Sequence, residues 1–459
     1  MSAPALEIRG AALGGYTVDL AIAEGRITAV TPAVSRDPSG RGEPPHGVSD
    51  RAAASDASRG ERAAAGGSRG PAGSAARVID ARGLHVFPSF RNAHTHVAMT
   101  LFRGYGDDMP LMEWLQTRIW PAEARLTEED VFHGARLGML EMIRGGTTFF
   151  NEMYWHRPGI VRAVEEMGVR ALVGQTLIDL GDAELFQRQK DELVRLAREE
   201  RVTGRVALAA APHSIYTVPA DVLRWIGGVA AEHDLVVHIH LSETAAEVER
   251  CVAEHGCRPA QLLERAGLVN ARLVAVHGQF LDDAELDLLG AAGATLVTNP
   301  AANLKLATAG IMRYSRARQA GVRVCLGTDG AASNNTLSMI ESMKLAALLQ
   351  KNLDADATTL PAADALAMAT STPAAVFGHG SGTIAAGQPA DLILVDFAGA
   401  ATQPLHDPVS ALVYAATAAN VHTTVCDGRV LMHDRRIEVC DEEEVLEHAR
   451  RAAFSVTSG

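Results

Sequence analysis

From about residue 84 the chain settles into a rhythm that few folds can accommodate: short apolar runs separated by longer amphipathic stretches. In order, the runs are LHVFPSFRNAHTH, TTFFNEM, RALVGQTLID, RVALAAAPHS, LVVHIHLSE, RLVAVHGQF, ATLVTNPAAN and VRVCLGTDG. Each is nearly continuous in apolar residues. That pattern marks a strand buried on both faces, the condition of a parallel sheet covered by helices. The stretches between them, among them TEEDVFHGARLGMLEMIRGG, PGIVRAVEEMG, PADVLRWIGGVAAEH, AAEVERCVAEHG, DDAELDLLGAAG and IMRYSRARQAG, carry helical periodicity. Thr127 followed by Asp130 in the first of these reads as a helix start, where acids are favoured. Eight strand-like runs, each followed by a helix or long connector, predict a closed (β/α)8 TIM-like barrel of the α/β class over residues 85–384. No glycine-rich phosphate fingerprint opens any of the helices, which weighs against a dinucleotide-binding sheet.

Both ends of the chain are different. LEIRGAAL and YTVDLAIAEGRITAV near the start, and AGQPADLILVD and VHTTVCDGRVLMHDRRI near the end, read as short strands. The simplest packing joins residues 1–84 and 385–459 in one small β-sandwich beside the barrel, with DEEEVLEHARRAA as a terminal helix. Residues 34–77 lose nearly all large apolar side chains in favour of Gly, Ser, Ala, Arg and Pro. Such a segment cannot bury enough to order itself, so it is expected to be a disordered, low-complexity insertion.

Charge and cysteine usage narrow the function classes. A formal net charge of −13 without a basic stripe argues against nucleic acid as the main ligand, since that binding is driven by phosphate neutralisation. A small-molecule substrate stays open. The five cysteines are an odd number in a long chain and fit reduced thiols. The spacing in CVAEHGC matches no common zinc motif, and the absence of any C-x-x-C disfavours a cytidine-deaminase-type zinc site. No signal-like start and no run long enough to span a bilayer are found. A cytoplasmic homo-oligomer without membrane or nucleic-acid partners is expected.

The unusual polar residues fall at the carboxyl ends of the runs. His94 and His96 end the first, His213 the fourth, His240 the fifth, His277 the sixth and Asp329 the eighth. His94 and His96 are two apart, so on a strand both imidazoles point the same way. In a (β/α)8 barrel the loops at that end of every strand converge on one cavity. His94, His96, His240 and Asp329 then make three imidazoles and a carboxylate, a donor set for one divalent ion, Zn2+ before iron or manganese, with a position left for water. Two-metal barrels of this kind usually bridge their ions through a lysine near the end of the fourth strand; none stands in QTLID or APHS, so one ion is expected. Glu243, three residues beyond His240, is placed to carry a proton from the metal-activated water to the substrate. His277, one strand further, is placed to hydrogen-bond the attacking oxygen.

HTH after a strand, HIHLSET, VHGQF, NPAANLKL and LGTDGAASNN, in this order, resemble the amidohydrolase superfamily. Within it, AMTLFRGYGDDMPLMEWLQTRIWPAE and LGTDGAASNNTLSM look most like the 5′-methylthioadenosine/S-adenosylhomocysteine deaminase group. The resemblance implies hydrolytic deamination of an adenine nucleoside to the inosine-type product plus ammonia. It implies His94, His96, His240 and Asp329 as metal ligands, Glu243 as proton shuttle, His277 as partner of the attacking hydroxide, and Asp329 as an additional base. It also implies ribose contact by Glu123 and purine contact by His213. Homologues that handle S-adenosylhomocysteine place an arginine near the end of the third strand; here Gln175 takes that place, and an amide cannot give a carboxylate the bidentate ion pair of arginine. A preference for 5′-methylthioadenosine, adenosine or 5′-deoxyadenosine follows, unless Arg188 or a loop arginine supplies the charge. The rival readings are a relative acting on guanine, cytosine or a chlorotriazine, and a metal-binding scaffold without catalysis.

Overall fold

The computed structural model describes residues 6–33, 76–199 and 202–458; the insertion expected at 34–77 falls almost wholly outside them. Eight strands form the expected barrel: β1 Phe90–Thr95, β2 Thr147–Glu152, β3 Arg170–Leu177, β4 Val206–Pro212, β5 Val236–Leu241, β6 Leu273–His277, β7 Thr295–Thr298 and β8 Arg323–Leu326. They lie in sequence order, each parallel to the next. The seam between last and first is made just past β8, where the Thr328 and Asp329 N–H groups both donate to the His94 carbonyl at 3.1 Å. Gly327 is required for that approach: a Cβ there would meet Asn299 Oδ1 at 2.3 Å and the His94 carbonyl at 2.9 Å. Ala93, Phe149, Leu172, Ala209, Val274, Val297 and Cys325 fill the barrel interior. Outward-facing residues of the same strands pack under the helices.

The helices follow the periodicity. Glu128–Arg144 starts at Thr127, whose side chain accepts the Asp130 N–H while the Asp130 carboxylate accepts the Thr127 N–H, a reciprocal cap. Arg157–Met167, Ala220–His233, Ala245–His255 and Asp283–Ala291 fall where expected, while IMRYSRARQAG forms helix only over Tyr314–Gln319.

The run LHVFPSFRNAHTH divides into two strands rather than one. Leu84–Pro88 pairs antiparallel with Leu392–Asp396, and the barrel strand begins at Phe90. The break falls at Ser89: Pro88 still pairs with Leu392 and the Ser89 N–H donates to the Asp391 carbonyl at 3.2 Å, while the Phe90 N–H turns to the Gly146 carbonyl at 2.9 Å. The chain ends meet in one hydrogen-bonded sheet of nine strands, in which Leu6–Leu13, Tyr16–Ala23 and Arg26–Pro32 join Leu392–Asp396, Val421–Cys426 and Arg429–His433 through Leu84–Pro88. Alternation along Leu392–Asp396 buries it on both faces: Leu392 and Leu394 enter the core of this sheet with Leu6, Ile8 and Leu20, whereas Ile393 and Val395 enter the core shared with the barrel helices. The terminal helix Glu442–Thr457 lies on Glu128–Arg144, tied by Arg144 to Glu442 and Arg136 to Glu444. Among the described residues, no helix is long and apolar enough to cross a membrane. All five cysteines are free thiols, and Cys251 and Cys257 are buried.

Candidate active site

The strand-end residues converge. His94 Nε2 lies 3.3 Å from Asp329 Oδ1 and 3.3 Å from His240 Nε2, and His96 Nε2 lies 3.2 Å from Asp329 Oδ1. A tetrahedral ion with bonds of ~2.0–2.1 Å separates its donors by roughly 3.3 Å, so these spacings fit a zinc-like cation. The opposite ring nitrogens are engaged: His96 Nδ1 with the Met153 carbonyl, His240 Nδ1 with the His213 carbonyl at 2.8 Å, and His94 Nδ1 with His238 Nε2 at 2.9 Å. Donation through Nδ1 fixes the tautomer that presents Nε2 to an ion. Ser333 donates to the second Asp329 oxygen at 2.8 Å.

The electrostatics agree. Burial drives His94 down to about 3 and His240 well below the usual imidazole value, so both are neutral, the ligating form. For His96, burial works in the same direction but is outweighed by Asp329 and by Glu152, and the group rises to about 9. Asp329 is held well below the carboxylate range by His94 and His96 against the effect of burial. The His96 proton thus sits where a bound cation would put its charge.

Beside these donors stand Glu243 and His277, with Glu243 Oε1 3.8 Å from His277 Nε2. His277 Nδ1 donates to Asn303 Oδ1 at 2.9 Å, which turns Nε2 toward Glu243. Burial first, and the Asp329 charge after it, raise the Glu243 carboxyl against the pull of His277. Ser242, His277 and Asp329, all at strand ends, have φ of +51°, +73° and +61°. Non-glycine residues held in the left-handed region cost ~1–3 kcal/mol each, a strain that clusters at functional sites.

A cavity opens above this cluster, lined by His96, Glu123, His213, His240, Glu243, His277 and Asp329 with apolar walls from Met99, Trp114 and Ile119. The loop after β1 builds those walls and leads through Trp120–Glu123 to Glu123. Burial raises the Glu123 carboxyl, against Tyr154 and Trp155 beside it, and drives His213 down to about 3. Lys305 ties the loop in place, donating to Asp107 Oδ1 at 2.7 Å, to the Ala332 carbonyl at 2.9 Å and to Asn335 Oδ1 at 3.2 Å.

Gln175 does not line this cavity. It lines a neighbouring one that shares Trp120, Glu123, Tyr154, Trp155 and Thr176 with it, and its Nε2 donates to the Thr176 carbonyl at 3.3 Å. On β3 successive side chains face opposite ways, and Thr176 is the one turned to both cavities. Arg188 stands exposed on the helix Ala183–Glu199 beside Glu184, whereas Arg157 lines the cavity of Gln175. His238, Asn303 and Ser333 were not read from the sequence. His238 is two residues before His240, the spacing that already paired His94 with His96, so that signal was there to find.

A model of the amidohydrolase family matches residues 85–431. The 5′-deoxyadenosine deaminase of Methanoregula boonei is 50% identical over 383 residues, 83% of this chain and 86% of that protein. The 5-methylthioadenosine/S-adenosylhomocysteine deaminase of Halobacterium salinarum is 44% identical over 415 residues, 90% of this chain and 95% of that protein. The crystal structure of an adenosine deaminase from Xanthomonas campestris with bound zinc superposes with a TM-score of 0.86 at 34% identity, covering 99% of both chains. An atrazine chlorohydrolase of Arthrobacter aurescens superposes with a TM-score of 0.82 over 98% of this chain and 100% of that one, but at 21% identity that likeness is one of fold.

Proposed function

The chain belongs to the amidohydrolase family, and on that premise we propose that it is a metal-dependent hydrolase of cyclic C–N bonds that deaminates an adenine nucleoside to the inosine-type product and ammonia. The observation that carries the reading is the convergence of His94, His96, His240 and Asp329 beside the Glu243–His277 pair at the floor of one cavity. A divalent ion, zinc by analogy with the neighbour of known structure, would lower the pKa of water there from ~15.7 toward about 7. Glu243 takes a proton from the attacking water and delivers it to the purine ring, and its raised carboxyl pKa suits a group that must hold that proton between transfers. His277 hydrogen-bonds the attacking oxygen, Asp329 serves as a further base, Glu123 receives the ribose hydroxyls and His213 the purine.

The 5′ substituent is assigned to the side of Gln175. Relatives named for 5′-deoxyadenosine, and an uncharged amide at position 175, support a preference for adenosine, 5′-deoxyadenosine or 5′-methylthioadenosine over S-adenosylhomocysteine. The reading extends to a cytoplasmic homo-oligomer that binds neither nucleic acid nor membrane, and light scattering of the purified protein checks the assembly. The decisive experiment is an ammonia-release screen over these four nucleosides, with guanine, cytosine and a chlorotriazine as further arms and metal analysis of the same sample. Release from a nucleoside at about one ion per chain is expected. Turnover confined to the other arms would refute the assignment.

A further inference from the structure

Glu243 sits on a turn that two side chains, Glu247 and Gln279, hold from outside. Its helix, Ala245–His255, is capped by Thr244, whose hydroxyl accepts the Glu247 N–H at 3.1 Å. An acid at that helical position ordinarily reaches back to the cap residue itself. Here the Glu247 carboxylate reaches further: Oε1 accepts the Ser242 N–H and Oε2 the Glu243 N–H, both at 2.8 Å. On the other side, Gln279 Nε2 donates to the Glu243 carbonyl at 3.0 Å, while its Oε1 accepts the Thr308 hydroxyl at 2.9 Å. Both peptide groups flanking Glu243 are therefore pinned, and the turn they belong to carries the left-handed Ser242.

Such a turn does not keep its shape unaided. Ser242 in the left-handed region tends to relax unless its N–H has a fixed partner. Glu247 is 5% exposed and lines neither the cavity above the histidine cluster nor that of Gln175. A helix cap alone needs one oxygen and leaves the other to solvent; this carboxylate spends both on the backbone of the two residues that precede the cap. We propose that Glu247 is a positioning residue for the reaction, fixing the backbone from which Glu243 reaches the reacting atoms. The inference rests on the reading of Glu243 as proton carrier. A displacement of about 1 Å at such a group can cost about 10²-fold in rate.

The test is a double-mutant cycle on the metal-loaded enzyme. Glu243→Gln alone tests the proton-carrier reading: if it retains parental kcat, that reading fails. Glu247→Ala is expected to lower kcat by about 10²-fold with KM within a few-fold and metal content unchanged. Glu247→Gln keeps the shape and one acceptor, and is expected to lose less than the alanine variant. On the Glu243→Gln background, Glu247→Ala is expected to cost little more, because the group it positions is gone. Glu247 is only a structural cap if its loss is equally large on both backgrounds, if KM rises at unchanged kcat, or if the Gln variant matches the parent in kcat.

Discussion

Replacing Glu243 with glutamine removes a charge and the proposed proton carrier and little else. The side chain is 12% exposed and stays the same size, and its flanking peptides keep their bonds to Glu247 and Gln279, since those involve backbone atoms. The loss is therefore chemical. General acid–base catalysis by one positioned group is worth about 10²–10⁴-fold, or ~2.7–5.5 kcal/mol of barrier, and kcat is expected to fall by that much. Stability is expected to move the other way. Burial raises the carboxyl pKa in the folded chain, so between the unfolded and folded values the native state binds more protons, and stability falls as pH rises through that window. Above it the ionised Glu243 destabilises the metal-free fold, and the amide relieves this. Ammonia release under saturating nucleoside measures the first effect; thermal unfolding of metal-stripped protein near neutral pH measures the second. A variant with kcat within tenfold of the parent, or one that loses its ion together with its activity, would refute the assignment. A clear drop in the unfolding midpoint would refute the stability argument.

Asp329→Asn weakens one donor and frees the His96 proton, so bound metal should drop well below one ion per chain in elemental analysis while the barrel's far-ultraviolet signature is kept. Lys305→Met removes the ammonium that joins Asp107 to the loops after β7 and β8, and steady-state kinetics should show KM for the nucleoside raised several-fold with a smaller change in kcat. Gln175→Arg should raise kcat/KM for S-adenosylhomocysteine relative to 5′-deoxyadenosine by about tenfold, as a carboxylate partner would give ~1.5–3 kcal/mol in a charged hydrogen bond. No change in that ratio, or a parent enzyme that already favours S-adenosylhomocysteine through Arg157, would show that the cavity of Gln175 does not hold the 5′ group.

The barrel was legible because a strand buried on both faces tends to be apolar throughout, a condition that β3, β4, β5, β6 and β8 meet over most of their length, whereas β1 (FRNAHT) and β2 (TTFFNE) show it only in part. The strand-end cluster was legible because histidines and an aspartate recur at the carboxyl ends of these runs, where a barrel gathers its loops. The run around Ser89 shows the limit of a hydropathy reading: Leu84–Pro88 and the strand from Phe90 follow each other with only Ser89 between them, yet they serve different sheets, and only the change of hydrogen-bond partner from Asp391 to Gly146 separates them. Gln175 shows another, since it lines only the neighbouring cavity while Thr176, one residue on, lines both, and sequence cannot resolve that register at a strand end. Asn303 and Ser333 act on the imidazole of His277 and the carboxylate of Asp329 from irregular or short helical segments, where no periodicity announces direction.

The carbonyl of His94 that takes both the Thr328 and Asp329 N–H groups gives this residue two jobs 235 positions apart in the chain. Its backbone shuts the cylinder, and its ring waits for the carboxylate that arrives with the same contact. A chain emerging from the ribosome therefore holds two of the four proposed donors once β1 is made yet lacks the last until β8 follows, and long-range closure of this kind is the slow part of folding. Capture of the ion at full strength then reports that the circle is complete, so metal uptake during refolding should trail secondary structure and coincide with the final locking of the barrel.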